Sequence, residues 1–121
     1  MFQKNYQVKK RNLGKWGEQV AAEFLISKGY KIIAQNFYLR AGELDIIAKK
    51  DGILSFVEVK TRSTENFGSA QESLSQNKKR ALRRSIQNYL QLLPPCSWQL
   101  DLIAIDLRQD KATLKHFKNI L

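Results

Sequence analysis

Two segments of the chain carry apolar residues at helical spacing. Residues 12–29 begin at Asn12, a favourable N-cap, and end at Gly29, a favourable helix stop. Residues 74–93 carry a second apolar stripe and are followed by Pro94-Pro95, which cannot continue a helix. This spacing predicts two amphipathic helices, each with one face that packs on a sheet.

Five further segments have the apolar and β-branched residues of strands: 31–39, 43–49, 53–61, 98–107 and 112–118. Asp51-Gly52 is the signal for a two-residue turn between the second and third of them. Residues 62–73, rich in Ser, Thr, Gly and Asn, predict a mobile loop. The order α-β-β-β-α-β-β is typical of an α/β fold with a mixed central sheet flanked by helices.

The length of 121 residues indicates one domain, over residues 12–121. Residues 1–11 are polar and basic, and we expect them to form a loose N-terminal arm. This arm lacks the apolar run of a signal peptide, and no segment approaches the ~20 apolar residues of a membrane span. We therefore expect a cytoplasmic protein that does not enter membranes.

The chain is strongly basic. Lys and Arg number 21 against 11 Asp and Glu, which gives a net charge of +10, and the pI is about 9.9. Such an excess favours polyanionic partners, with nucleic acid ahead of an anionic membrane because no basic amphipathic helix with exposed bulky apolar residues is evident. A basic protein without such a partner remains the alternative.

Cys96 is the single cysteine and His116 the single histidine. An intrachain disulfide and a tetrahedral Cys/His zinc site within one chain are therefore excluded. A Ser-His-Asp triad would need His116, which we expect to be a surface side chain near the C-terminus.

Alternation along the strands places acidic residues on common faces. Glu43, Asp45 and Ile47 are expected to face one way on the second strand, and Phe56, Glu58 and Lys60 one way on the third.

A two-residue turn at Asp51-Gly52 would pair Lys50 with Ile53. The same count places Asp45 opposite Glu58, and Glu43 opposite Lys60. Two carboxylates ~5 Å apart at Cβ repel each other unless a cation, a proton or a basic group intervenes. Mg²⁺ takes such hard oxygen ligands.

The alternative is a salt-bridged surface hairpin in which Lys60 neutralises Glu43. Apolar residues on both sides of Asp45 and Glu58 favour partial burial, where an unpaired charge is expensive and function is a common reason for it.

Three motifs together resemble a known family. They are Gly17-Glu18, Arg40-Ala41-Gly42-Glu43-Leu44-Asp45 and Phe56-Val57-Glu58-Val59-Lys60-Thr61-Arg62. The chain resembles the YraN-like family of small bacterial proteins, which is similar in pattern to archaeal Holliday-junction resolvases and to the PD-(D/E)-x-K restriction-endonuclease-like superfamily. The resemblance implies a restriction-endonuclease-like core.

The same resemblance implies roles for individual residues. Asp45 and Glu58 would be metal ligands together with the Val59 carbonyl, and Lys60 would orient water or stabilise charge. Glu18 would be an auxiliary acid, unless it is an ordinary surface glutamate. Asp101 is either a further acid or, as we expect, the partner of a nearby Lys or Arg.

Basic residues of the second helix form the predicted nucleic-acid surface. Lys79, Arg80, Arg83 and Arg84 project opposite the apolar stripe, with no acidic residue between Lys78 and Tyr89. Lys78, Arg40 and Arg62 are assigned to the same role. A solvated helix face is the alternative.

These features predict a Mg²⁺-dependent endonuclease acting on DNA, structured or branched DNA included, with Mn²⁺ as a substitute ion. One alternative is a non-catalytic nucleic-acid-binding module that assists recombination, repair or DNA uptake. Another is a structural protein whose acidic cluster is an ion-pair network. A homodimer is left open.

Overall fold

The computed structural model of the protein describes residues 2–5, 13–63, 74–109 and 111–121. These residues form six strands and two helices: β1 (Phe2–Asn5), α1 (Leu13–Ser27), β2 (Lys31–Leu39), β3 (Gly42–Lys50), β4 (Ile53–Arg62), α2 (Gln76–Leu90), β5 (Ser97–Arg108) and β6 (Lys111–Phe117). The predicted order α-β-β-β-α-β-β and the α/β class are confirmed. Most of the predicted mobile loop, residues 64–73, lies outside the described residues.

All six strands join one mixed sheet in the order β1-β6-β5-β4-β3-β2. Strands β4 and β5 are parallel and are connected through α2, while the other neighbours are antiparallel. A parallel pair needs such a crossover connection, whereas tight turns join antiparallel neighbours. Strand β2 is left as an edge.

The two helices contribute to different hydrophobic clusters of the core. Val20 and Leu25 of α1 pack in a cluster with sheet residues that include Val57, and we call this the α1-side cluster. Leu82 and Ile86 of α2 pack in the α2-side cluster, which includes Phe56. Because Val57 and Phe56 are consecutive on β4, the clusters lie on opposite faces of the sheet. Neither helix in the described part of the chain is long and apolar enough to cross a membrane.

The N-terminus differs from the predicted loose arm. Phe2–Asn5 form a strand that pairs antiparallel with Lys111–Leu114 of β6. Without β1, backbone N–H and C=O groups of β6 would be unpaired at the edge of the sheet. Hydrogen bonding to these groups gives a physical reason for β1 to form. Residue 1 and residues 6–11 of the predicted arm lie outside the described residues.

The turn between β3 and β4 sets their register. Asp51 and Gly52 have φ values of 52° and 76°, which suits the left-handed turns that join twisted hairpins. The pairing of Lys50 with Ile53 follows, as predicted, and continues to Ile46–Val57, where the β3–β4 ladder ends.

Candidate metal centre

The alternation of side chains along β3 is interrupted beside Asp45. Leu44 and Ile47 both pack in the α2-side cluster, whereas Ile46 and Ala48 pack in the α1-side cluster. Residues an odd number of positions apart lie on opposite faces of a regular strand, so the alternation shifts between Leu44 and Ile47. The prediction that Glu43, Asp45 and Ile47 all face one way is wrong for this reason.

Strand β2 is irregular at the neighbouring position. Asn36 stands between the residues that pair with Leu44 and Ile46, and its φ is 51°. Asparagine tolerates this left-handed region better than most residues. The Asn36 side chain lies close to the Glu18 carboxyl group, so the irregular position also connects β2 to α1.

Asp45 occupies the place where β3 and β4 separate. Its Oδ2 accepts a hydrogen bond of 3.0 Å from the backbone N–H of Val59, beyond the last backbone pair of the two strands. The predicted Asp45–Glu58 and Glu43–Lys60 pairs therefore lie past the end of the ladder, and Glu43 pairs with Tyr38 of β2 instead.

Three carboxylates converge at this separation. Glu18, Glu43 and Asp45 each place an oxygen within 4.8 Å of the other two. Glu43 was missing from the predicted site because the counted register assigned it to Lys60. The signal for including it was its position two residues before Asp45 in one motif.

Gly17 explains how Glu18 reaches strand residues. A Cβ at position 17 would overlap the Thr61 side chain, so only glycine allows α1 to approach β4 this closely. The Gly17-Glu18 motif thus combines a close helix–strand contact with the carboxylate next to it.

Glu58 is the fourth carboxylate of the centre. Its carboxyl group lies close to that of Asp45, its side chain is 14% exposed, and its Oε2 has no hydrogen-bond partner among the described residues. Lys78 Nζ of α2 lies 4.0 Å from Glu58 Oε1, a contact that sequence reasoning missed because it placed Lys78 on the nucleic-acid surface. We call Glu18, Glu43, Asp45 and Glu58 the carboxylate centre.

The electrostatics of the carboxylate centre favour protons or a cation. Burial, followed by the Asp45 charge, raises the pKa of Glu58 to about 8. Burial and the charges of Asp45 and Glu43 also raise the pKa of Glu18. Hard oxygen donors, one of them buried and unpartnered, fit Mg²⁺ or Mn²⁺. The ligand role of the Val59 carbonyl remains a prediction.

Lys60 and most of the predicted basic residues lie on exposed surfaces. Lys60 is exposed on β4, two residues beyond Glu58, and Arg40 is exposed in the turn after β2. On α2, Arg80, Arg83 and Arg84 are exposed and Lys79 is half-buried. A groove of about 270 Å³ runs between this helix and the C-terminus, lined by Gln76, Lys79, Arg80, Arg83, Ile120 and Leu121.

Arg62, which the sequence assigned to the nucleic-acid surface, lies in an ion pair within the protein. It is 9% exposed, and its Nε and Nη2 donate to the Asp106 carboxylate at 2.9 and 3.2 Å. This two-point contact directs the guanidinium to the neighbouring strand β5 rather than to an open surface. We therefore leave Arg62 out of the proposed surface.

Asp101 and His116 also differ from expectation. The Asp101 side chain is fully buried, and its carboxylate contacts His116 Nε2, Gln99 Nε2 and the Asn119 N–H, each at 2.9 Å. Its partner is thus a histidine rather than a Lys or Arg, and the His116 side chain is only 8% exposed instead of lying on the surface.

Comparisons with known proteins identify the relatives of this chain. A model of the uncharacterised protein family UPF0102 matches residues 17–105, which confirms the YraN-like resemblance. A UPF0102 protein of Syntrophomonas wolfei is 40% identical over 90% of this chain and 96% of its own. Another, of Herpetosiphon aurantiacus, is 41% identical over 92% and 94%.

The structural comparison found SfsA of Pyrococcus furiosus, solved in complex with Ca²⁺. The match has a TM-score of 0.38 and 11% identity, and it covers 92% of this chain and 64% of that one.

Proposed function

Given that the chain belongs to the UPF0102 family, we propose that it is a Mg²⁺-dependent endonuclease that hydrolyses phosphodiester bonds in DNA. The observation that carries the proposal is the carboxylate centre itself. Four of the chain's 11 acidic residues meet where β3 and β4 separate.

The cost of this arrangement argues for an ion. Adjacent carboxylates cannot all ionise without a cation, and burial of Glu58 increases the cost. The chain is not short of basic residues to pair with them, yet within the described residues Lys78 is the one basic side chain in an ion pair with the centre. A folding network would be expected to pair its charges, whereas a metal site requires free oxygen atoms.

The spacing of the motif supports a hydrolytic role. Asp45, Glu58 and Lys60 have the order of the PD-(D/E)-x-K pattern, and we extend the proposal to a restriction-endonuclease-like core. Asp45, Glu58, Glu18 and Glu43 would hold the ion. When bound, Mg²⁺ supplies a more acidic water and stabilises negative charge on phosphate oxygens. Lys60 provides a further positive charge for the reacting phosphate.

The basic face of α2 supplies contacts to the substrate backbone. Arg80, Arg83 and Arg84 are exposed on the helix that also carries Lys78, and Lys78 lies 4.0 Å from Glu58. Phosphates held along this helix would therefore lead towards the carboxylate centre. Such contacts position a strand without reading its bases.

One observation favours a second candidate, a nucleic-acid-binding module without cleavage. Lys78 Nζ can offset part of the Glu58 charge in the absence of an ion, and a proton retained at the raised pKa of Glu58 offsets it further. In that case the centre would be an electrostatic feature of the fold and the basic helix alone would define the function.

A nuclease assay separates the two candidates. Branched, single-stranded and duplex DNA are incubated with Mg²⁺ or Mn²⁺ and native protein, Glu58→Gln, or the control Glu23→Gln, which alters an exposed glutamate outside the centre. We expect cleavage by native protein and control and none by Glu58→Gln. Equal cleavage by all three would assign the activity to another site or a contaminant, and binding without cleavage would favour the second candidate.

A further inference from the structure

Tyr38 is an exposed aromatic residue at the edge of the sheet. It is 75% exposed, whereas Tyr30 and Tyr89 are each 8% exposed. Phe37, its neighbour on β2, packs against the ring of Tyr89, while Tyr38 has no ring contact with any residue that the structure describes. Its ring face is therefore available to a ligand.

The register places Tyr38 beside the carboxylate centre. It pairs directly with Glu43 across β2 and β3, and directly opposed residues in antiparallel strands project from the same face with Cβ atoms ~5 Å apart. The Glu43 carboxylate lies within 4.8 Å of those of Glu18 and Asp45. The tyrosine thus stands at the rim of the centre, on the face of the sheet opposite α2.

The backbone around Tyr38 is anchored from the opposite face. The Phe37 and Tyr89 ring centroids are 5.1 Å apart, and Leu39 packs against the same α2-side cluster. Because both neighbours face this cluster, Tyr38 projects the other way from a fixed position. The backbone position from which the ring projects is therefore set before a ligand binds.

We propose that Tyr38 is a stacking platform for an unpaired nucleobase adjacent to the phosphate that the carboxylate centre acts on. This inference rests on the proposed function and specifies its substrate class. A side chain can stack on a base only where that base is exposed, so the substrate presents a single-stranded or unstacked nucleotide at this position. Arg40, exposed in the turn that follows β2, supplies positive charge for a neighbouring phosphate.

A second copy of the chain is the competing occupant of this sheet edge. Pairing β2 with β2 about a two-fold axis would bring Lys31 near the Arg40 end of the partner strand, and both side chains are exposed. The positive charges of Lys31 and Arg40 would then lie opposite each other, which disfavours pairing of the two β2 strands. Asn36, at φ 51°, also interrupts the extended edge between them. Charge and geometry therefore favour a nucleic-acid strand.

The test couples removal of the ring to removal of a base. Binding of a labelled single-stranded oligonucleotide is measured with Ca²⁺ in place of Mg²⁺, and the oligonucleotide is checked afterwards for integrity. An abasic site is moved along it one position at a time, for native protein and Tyr38→Ala. Tyr38→Phe keeps the ring, and Ile33→Ala removes another exposed apolar side chain from β2.

We expect one abasic position to weaken native binding about 5- to 150-fold, the range for one base stacked on an aromatic ring. Tyr38→Ala should weaken binding of the intact oligonucleotide by a similar factor and have little further effect at that abasic position. Tyr38→Phe and Ile33→Ala should bind like the native protein. A duplex without unpaired bases should be insensitive to Tyr38→Ala.

Several results would overturn the inference. If the protein binds but no abasic position weakens binding, the platform is rejected and the nuclease proposal stands. If the abasic effect disappears in Tyr38→Ala but no metal-dependent cleavage is found, the nuclease is rejected and the stacking role of Tyr38 is retained. Complete absence of binding rejects both. If sedimentation shows that Tyr38→Ala and Ile33→Ala each convert a dimer to a monomer, the edge binds a second copy instead.

Discussion

The Asp45 Oδ2 accepts a hydrogen bond of 3.0 Å from the Val59 N–H. The β3–β4 ladder ends at Ile46–Val57, so the Val59 N–H has no backbone partner on β3. The Asp45 side chain accepts its hydrogen bond in place of such a partner. The same carboxylate lies beside those of Glu18 and Glu43 on one side and contacts Glu58 on the other. The separation of the strands and the assembly of the centre are thus one structural feature.

The stability of the protein without divalent ions should decrease as pH rises. Because the pKa of Glu58 is raised to about 8, the folded protein holds this proton more tightly than the unfolded chain, where a glutamate titrates near about 4.3. The contribution of Glu58 to the free energy of unfolding is fully present below its pKa in the unfolded chain. It is lost as the pH rises through its pKa in the folded protein. Glu18 acts in the same direction. Urea unfolding in EDTA at several pH values measures the effect.

Glu58→Gln should flatten that pH dependence, since the amide does not titrate. The control Asp51→Asn, in the exposed turn between β3 and β4, should follow the native curve. Equal slopes for native protein and Glu58→Gln would show that Glu58 does not hold a proton in the folded state.

Gly17→Ala should destabilise the fold by about 1–3 kcal/mol, the usual cost of overpacking, because the added Cβ overlaps Thr61. It should also weaken metal binding by moving Glu18 away from the centre. Gly14→Ala is the matched control on the same helix, since its Cβ meets no atom within 4 Å, and it should stabilise by up to about 1 kcal/mol. Urea unfolding compares them, and equal effects would reject the close contact.

Lys60→Ala should separate metal binding from turnover. The carboxylate centre remains intact, so Mn²⁺ affinity should persist, while the cleavage rate falls by ~10²-fold or more through loss of one preorganised charge at the phosphate. Lys49→Ala, an exposed lysine on β3, should retain the native rate. Parallel metal titration and turnover decide the matter, and an unchanged rate in Lys60→Ala would remove it from the proposed mechanism.

The double variant Arg80→Ala/Arg83→Ala should weaken DNA binding similarly for all sequences. The slope of log affinity against log salt should become shallower by about 0.7–0.9 for each phosphate that the variant no longer neutralises. Lys111 and Lys115, exposed on β6, provide a control pair of equal charge change. Anisotropy titrations at several salt concentrations measure both slopes, and equal weakening by the two pairs would indicate a general charge effect.

The sequence predicted the regular parts of the fold because their signals are local. The turn residues Asp51 and Gly52 fixed the pairing of Lys50 with Ile53, and Pro94-Pro95 follow the second helix. By contrast, the register predicted for Asp45 assumed unbroken alternation. The shift beside Asp45 coincides with Asn36 of the neighbouring strand and with the hydrogen bond from Val59, and no local pattern in the sequence indicates either.

Long-range pairs were also beyond the sequence patterns. Arg62 and Asp106 stand on neighbouring parallel strands, and Asp101 meets His116 across β5 and β6. Which charged side chain finds which partner depends on strand order, and the order places β5 between β4 and β6. A residue's type and spacing indicate that it is charged within a strand, but not whether it is bound inside the protein or free to bind a ligand.

Metal binding at the carboxylate centre is the property on which the proposed nuclease activity depends most directly. Calorimetric titration of Mn²⁺ into native protein, Asp45→Asn and the control Asp51→Asn, which alters the exposed turn aspartate, measures it without requiring DNA or turnover. We predict specific binding by native protein and control. Asp45→Asn should lower the Mn²⁺ affinity by at least about tenfold, which is the loss seen when a residue that only supports the metal ligands is mutated. Absence of Mn²⁺ binding to the native protein, or equal affinity in Asp45→Asn, would contradict the account.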